Sequence, residues 1–240
     1  MKIQADLMHF QKLNELVKSC TDDTVEIDNC IGQRYIAAGR KNGKVIINGT
    51  AGNALGAYLD GCDIIVNGNV QEACGDTMNK GTITVHGSAG DAAGYAMRGG
   101  TVYIKGDSGY RTGIHMKSYM EHTPVLVIGG KAGSFLGEYQ AGGYIIVLGI
   151  GCNGKDVAGR FCGTGMHGGR IYLRCDELPW DLPPQVKAHQ AAPEDIAEIK
   201  DYILGYCERF GTDSAELLSA KYFVLTPDTK NPYKQLYTQN

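Results

Sequence analysis

The chain has 240 residues, 34 of them glycine and only seven proline, and a formal net charge of −3 with no long block of one sign. That balance leaves no electrostatic footprint for nucleic acid or an anionic membrane. Collagen is excluded because glycine does not recur at every third residue, and disorder is excluded because Val/Ile-rich runs separate the glycines.

From the N-terminus, MKIQADLMHF carries no apolar signal core. Leu7, Phe10, Leu13 and Leu16/Val17 then follow at helical spacing behind Asp6, which predicts a short amphipathic helix with Asp6 as its N-cap. Residues 1–24 are expected to form an N-terminal cap over the next segment.

From residue 25 the chain becomes periodic. Short β-like runs ending in glycine occur as VIING, IIVNG, ITVHG, VYIKG, LVIGG and IIVLG, closing at Gly49, Gly68, Gly87, Gly106, Gly130 and Gly149. Their intervals are 19, 19, 19, 24 and 19 residues, with one insertion around 117–123. Weaker copies flank them at 25–29 (VEIDN) and 171–175 (IYLRC).

Period-two alternation within a copy means a strand. The inward set is predicted as Val45/Ile47, Ile64/Val66, Ile83/Val85, Val102/Ile104, Leu126/Ile128 and Ile145/Val147. The outward positions Ile46, Ile65, Tyr103, Val127 and Ile146 are unusually apolar, so one flat side is expected to be covered by the C-terminal tail or by another subunit. Further glycines recur at Gly56, Gly75, Gly94, Gly113 and Gly137, and at Gly52, Gly90, Gly109 and Gly133, where corners need positive φ or leave no room for a Cβ.

The column Leu59, Met78, Met97 and Met116 reads as core filler, because a thioether adapts to an irregular interior. A unit this short cannot bury its apolar face alone, so the copies must stack. The array, 25–175, is therefore expected to be a glycine-rich β-helix of about seven coils of about 19 residues, a mainly β fold.

The composition changes at 178–184, LPWDLPP, a linker-like stretch. Residues 176–240 are expected to be this linker and a mostly helical tail. Pro193 opens a helix with Ile196, Ile199, Ile203, Cys207 and Phe210 on one face and Gly211 at its end. A second helix starts at Asp213 or Ser214, with Glu216 placed for a capping box, and Tyr222 to Leu225 reads as extended.

Candidate chemistry concentrates in the second break of the array, 150–165. Gly149-Ile150-Gly151-Cys152-Asn153-Gly154 follows a strand in the manner of a dinucleotide fingerprint, with Asp176 downstream. That motif needs a helix after the turn, and the glycine-rich segment 155–169 is not one. The loop also holds Lys155, Asp156, Arg160, Cys162 and His167, read as an interaction loop, with a Cys/His catalytic pair as the competing reading.

Eight dispersed cysteines without a C-x-x-C pair read as reduced thiols and give no support for a zinc or iron–sulfur site. His86, His115 and His122 lack metal-ligand spacing, and Glu72, Asp91 and Glu138 read as solvated or turn-capping corner carboxylates. No catalytic, cofactor-binding or metal residue is assigned to this chain.

The stretches INGTAGNALGAYLDG at 47–61, GSAGDAAGYAMRGGTVYIKG at 87–106, KAGSFLGEYQAGGYIIVLG at 131–149 and GTGMHGGRIYLR at 163–174 resemble the C-terminal domain of the glutamate synthase large subunit. The tail, a helical segment before KYFVLTP at 221–227, is weakly similar as well. The resemblance implies a right-handed single-stranded β-helix standing alone as a non-catalytic structural subunit.

Its implied partners are a glutaminase (amidotransferase) subunit and a synthase subunit with FMN and iron–sulfur clusters, which together make glutamate from glutamine and 2-oxoglutarate. A second copy of the chain is also admitted as a partner. The β-helical subunit of formylmethanofuran dehydrogenase and a subunit of N-methylglutamate synthase share the fold, so the equivalent place in either complex is the alternative. An independent enzyme using the loop from Cys152 to His167 is the alternative of another class. A soluble, cytoplasmic location is expected.

Overall fold

The computed structural model describes residues 1–228; the remainder of the expected tail, 229–240, lies outside the described residues. The fold is mainly β. In chain order its elements are β1 (Lys2–Gln4), α1 (Phe10–Ser19), β2 (Thr24–Ile31), β3 (Lys44–Thr50), β4 (Asp60–Asn67), β5 (Lys80–Val85) and β6 (Thr101–Ile104). There follow β7 (Val125–Ile128), β8 (Ala141–Val147), β9 (Gly168–Arg174), β10 (Val186–Gln190), α2 (Pro193–Phe210), α3 (Ser214–Ser219) and β11 (Tyr222–Pro227).

All the strands join one sheet in the order β1 to β9, then β11, then β10. Each strand from β1 to β8 pairs in parallel with its successor, and only the last two additions are antiparallel. Register follows the sequence copies: Val45 pairs with Ile64, Ile64 with Ile83, Ile83 with Val102, Val102 with Leu126, and Leu126 with Ile145. A second parallel ladder links Ala51, Val70, Ala89, Ser108, Ala132 and Ala158 around the next side of each copy.

Every residue of the predicted inward set is buried in one continuous core, and so is the column Leu59, Met78, Met97 and Met116. The column runs on into Gln140, which is fully buried and donates through Nε2 to the carbonyls of Gly142 and Gly143 at 3.2 and 3.0 Å. An amide here, in place of a thioether, supplies a donor to two carbonyls just beyond it.

The two glycine columns serve different ends. Gly56 has φ +64 and its counterparts Gly75, Gly94, Gly113 and Gly137 have φ between +66 and +73. Gly52 has no positive φ; a Cβ there would lie 2.1 Å from the carbonyl oxygen of Gly32 in the preceding copy. One column supplies the turn and the other lets neighbouring copies approach.

Around the first column, residues such as Ala54, Tyr58, Ala73 and Thr77 also adopt positive φ. Their backbone groups bond across copies, with the Tyr58 N–H donating to Asp76 O and the Gly75 N–H to Leu55 O, both at 2.8 Å. Lateral bonds in every copy hold a conformation that a lone turn would leave.

At the N-terminal end Leu13 and Val17 of α1 close the core, as the helical spacing predicts. Asp6 is not the N-cap: the helix begins three residues beyond Leu7, His9 takes the cap position, and Leu7 is 91% exposed. The Asp6 carboxylate instead accepts from Asn29 Nδ2 at 2.9 Å, because pairing of β1 with β2 carries residues 2–6 along the sheet.

At the other end α2 starts at Pro193 and closes at Gly211 with φ +67, both as predicted. Asp213 caps α3 by accepting from the Ala215 N–H at 2.8 Å, but Glu216 does not complete a capping box. It reaches out to Arg174 Nη2 at 2.8 Å.

Helix α2 lies on the flat outer face. Ile199, Ile203, Tyr206 and Cys207 form a second core with Tyr103, Val127, Ile146 and Tyr172. Of the five outward apolar positions, Tyr103, Val127 and Ile146 are thus covered by the tail, while Ile46 and Ile65 stay half-exposed. A polar clasp holds the start of the helix. Glu198 accepts from Tyr144 Oη at 2.8 Å and from Tyr172 Oη, and pairs with Arg170 at 2.8 Å.

Candidate functional site

The two breaks of the array and the linker after β9 gather the exposed aromatic and charged side chains. In the first break Tyr119 and His122 exchange both backbone bonds in a tight reversal, which leaves Met120 82% exposed and Tyr119 beneath the Arg98 guanidinium. Nearby His115 stacks on Tyr139, with ring centroids 5.2 Å apart and planes 10° from parallel. The ring packs at a corner of the array.

The second break is built in two parts. Residues Gly149 to Gly154 make turns with positive φ at Gly149, Gly151, Asn153 and Gly154, and no helix follows. The fingerprint-like glycines therefore serve turns, as their context predicts. With Arg174, Asp176, Glu216 and Lys221 they line a depression of about 320 Å³. Arg174 is spent there on Leu148 O and Glu216, and Lys221 on the carbonyl of Asp176.

The remainder of the break, from Lys155 to Arg160, faces the linker across a groove of about 510 Å³ that also includes Lys131, Ser134 and Trp180. Arg160 organises it. Its guanidinium lies 5.1 Å from the Phe161 ring centroid and 5.2 Å from that of Trp180, and its Nε is 3.3 Å from Asp181 Oδ2. Trp180 itself is 83% exposed. The aromatic edge continues along the copies, with Phe161 5.0 Å from Phe135 and Phe135 5.4 Å from Tyr110.

The structure does not assemble a Cys/His pair in this loop. Cys162 is fully buried and burial pushes its thiol up to about 12, away from the thiolate a nucleophile needs. Burial also raises Cys152, which is half-buried. The His167 ring is held by its own turn, with Nδ1 3.1 Å from Gly165 O.

Among the described residues no group of three or more His, Cys, Asp or Glu side chains could hold a metal ion. No helix among them is long and apolar enough to cross a membrane.

Of the corner carboxylates, Asp91 caps the next copy by accepting from the Tyr110 N–H at 2.8 Å, and Glu72 is exposed. Glu138 departs from the solvated reading. Its side chain is buried and sits 2.8 Å from Arg111 Nε, so the charge is met by a guanidinium on the neighbouring copy. Sequence reasoning missed this pair, although the two residues fall at nearby corner positions of adjacent copies. It also missed Arg160 with Asp181, which are brought together only when the linker folds back.

A family model described as the GXGXG motif matches residues 14–229, spanning the array and the tail. The chain is similar to protein MJ1350 of Methanocaldococcus jannaschii, with 44% identity over 249 residues, 98% of this chain and 95% of that protein. Its fold is also similar to a chain in the crystal structure of the formyltransferase/hydrolase complex (FhcABCD) from Methylorubrum extorquens in complex with methylofuran. The TM-score is 0.63 at 22% identity, over 87% of this chain and 75% of that one.

Proposed function

The chain belongs to the GXGXG motif family, and from that membership we propose that it is a non-catalytic structural subunit of a multi-subunit, cytoplasmic glutamate synthase-type complex. In this reading residues 25–175 are a right-handed β-helix of about seven coils, 1–24 are its cap, and 176–240 are the linker and tail. The parallel ladders that join successive copies on two sides support the coiled reading. A glutaminase subunit and a synthase subunit with FMN and iron–sulfur clusters perform the chemistry, converting glutamine and 2-oxoglutarate to glutamate.

The observation that carries this reading is that the family match runs through both array and tail. The buried, proton-retaining thiol of Cys162 in the most irregular loop adds to it, since it suits a scaffold better than a nucleophile. Purification of the native complex under mild conditions tests it. Co-elution with glutaminase and flavin-containing subunits, and glutamate formation by the assembly, is the expected result. Recovery of the chain alone, with those subunits in other fractions, would refute it.

A second reading gives the chain the equivalent place in a formylmethanofuran dehydrogenase-type complex. The fold likeness to a chain of the formyltransferase/hydrolase complex favours it. The same purification separates the two, because the co-eluting subunits differ in their cofactors. N-methylglutamate synthase has no separate observation in its favour.

A further inference from the structure

The inward column of the array is closed at one end of the rod and open at the other. Toward the N-terminus Ile47 pairs with Ile27 and Ile27 with Ile3, and the three are 0, 0 and 6% exposed. Leu13 and Val17 of α1 close the core there.

Toward the C-terminus Ile171 pairs with Leu225 and Leu225 with Ala188, while Leu173 pairs with Phe223 and Phe223 with Gln190. Ile171, Leu173 and Leu225 are buried, Phe223 and Ala188 are half-buried, and Gln190 is exposed. Val186 of the same edge strand is half-buried against the core, and so are Leu178 and Leu182 of the linker. Helices α2 and α3 bury Ile199, Ile203 and Leu217 on the outer face of the sheet instead.

The described chain leaves at this open end. The Asp228 N–H donates to Gln185 O at 2.8 Å and its carboxylate pairs with Lys187, which holds Asp228 beside Val186. The twelve residues that follow read TKNPYKQLYTQN. Asn231 before Pro232 is a helix start signal, an N-cap with proline at the first helical position. Tyr233, Leu236 and Tyr237 then stand at i, i+3 and i+4, which makes one apolar face. Lys230 and Lys234 come without an acid, and the linker bordering the open end carries exposed Asp176 and Glu177.

We propose that residues 229–240 close this end as a short amphipathic helix, the counterpart of α1, with Tyr233, Leu236 and Tyr237 over Phe223, Val186 and Ala188. The reach is sufficient. Residues 229–231 span up to about 10 Å, and a helix of about eight residues from Pro232 is about 12 Å long, against about 15 Å for α1. A strand added to β10 fits less well, because Pro232 has no N–H to donate and the apolar residues do not alternate. An isolated helix this short is marginal in water, so it forms where it docks. The closure is a property of the single chain and holds whichever complex the chain joins.

A photo-crosslinking residue placed at Leu236 in the purified full chain tests this, with Gln235, on the opposite face of the helix, as the comparison position. The expected product from position 236 is an intrachain link to a peptide within 178–190 or 221–227, in at least roughly five times the yield from position 235. In parallel, Tyr233→Asp with Leu236→Asp should lower the melting temperature by about 4 °C and accelerate amide exchange of 186–190 roughly 10-fold, with exchange of β1 and α1 unchanged. No product at position 236, equal yields at the two positions, a product with a second copy of the chain, or unchanged exchange of 186–190 in the double variant overturns the proposal. So does a product in the native complex that joins position 236 to another subunit.

Discussion

Replacing Gly52 by alanine tests whether a missing Cβ sets the spacing between copies. The added carbon would lie 2.1 Å from Gly32 O and 2.6 Å from Gly32 C, both backbone atoms with no rotamer to escape into. An ordinary contact between carbon and a carbonyl oxygen is about 3.3 Å or more, so the two copies must part by roughly 1 Å. The bond from the Gly52 N–H to Gln33 O, now 2.9 Å, would then stretch beyond hydrogen-bonding range.

Overpacking together with that lost bond should cost about 3 kcal/mol. Gly39→Ala is the control, because Gly39 has φ +65 but nothing within 4 Å of a new Cβ. It meets the left-handed penalty alone, about 1 kcal/mol. For a chain of 240 residues the unfolding entropy is about 0.5 kcal/mol/K. Thermal melts followed by circular dichroism should therefore fall by about 6 °C for Gly52→Ala and about 2 °C for Gly39→Ala. Equal losses, or a larger loss at Gly39, would refute the reasoning.

Three further outcomes are expected. Burial raises the thiols of Cys62 and Cys175 to about 11 and those of Cys74 and Cys162 to about 12, from an ordinary 9.0. Both states keep these protons below about pH 9; above it the unfolded chain sheds them first, so stability is lost as pH rises toward the folded values. Urea midpoints taken from pH 8 to 11 under reducing conditions should fall, and a flat profile contradicts this.

Glu198→Ala removes the acceptor shared by Tyr144, Tyr172 and Arg170. A loss of about 1–3 kcal/mol is expected, with amide exchange of 193–210 accelerated and that of β3 to β6 unchanged. Trp180 is the only tryptophan and is largely exposed, so Trp180→Ala should alter stability by no more than about 0.5 kcal/mol. If a partner fills the groove beside it, the wild-type emission shifts to the blue on assembly; an unshifted spectrum places the partner elsewhere.

The array was legible in the sequence because its signals are local and repeated. Alternation in one copy assigned Val45 and Ile47 inward, five further copies repeated the assignment, and the structure buries them all. The outward apolar column was legible as well, including the tail as its cover, but how far the cover reaches depends on helix length and on where Gly211 turns the chain.

Pairings that join unlike parts of the chain were not legible. Asp6 sits where an N-cap would stand, yet its partner is Asn29 on another row. Glu216 has capping-box spacing, yet an arginine 42 residues away reaches it. Glu138 and Gln140 break the chemistry of their columns to meet an adjacent guanidinium and two nearby carbonyls. Short-range spacing rules give no access to such partners.

Because α2 is fastened from Arg170 and Glu198 at one end to Thr84 at the other, the molecule contains its own measuring rod. The copies under it, β5 to β9, are fixed in number by the length of a helix that cannot stretch. Those before it, β2 to β4, have no such gauge. A whole 19-residue unit inserted or removed there would leave register intact and move the N-terminal cap by about 4.8 Å along the axis. Length variation among members of the family should accordingly concentrate before residue 80.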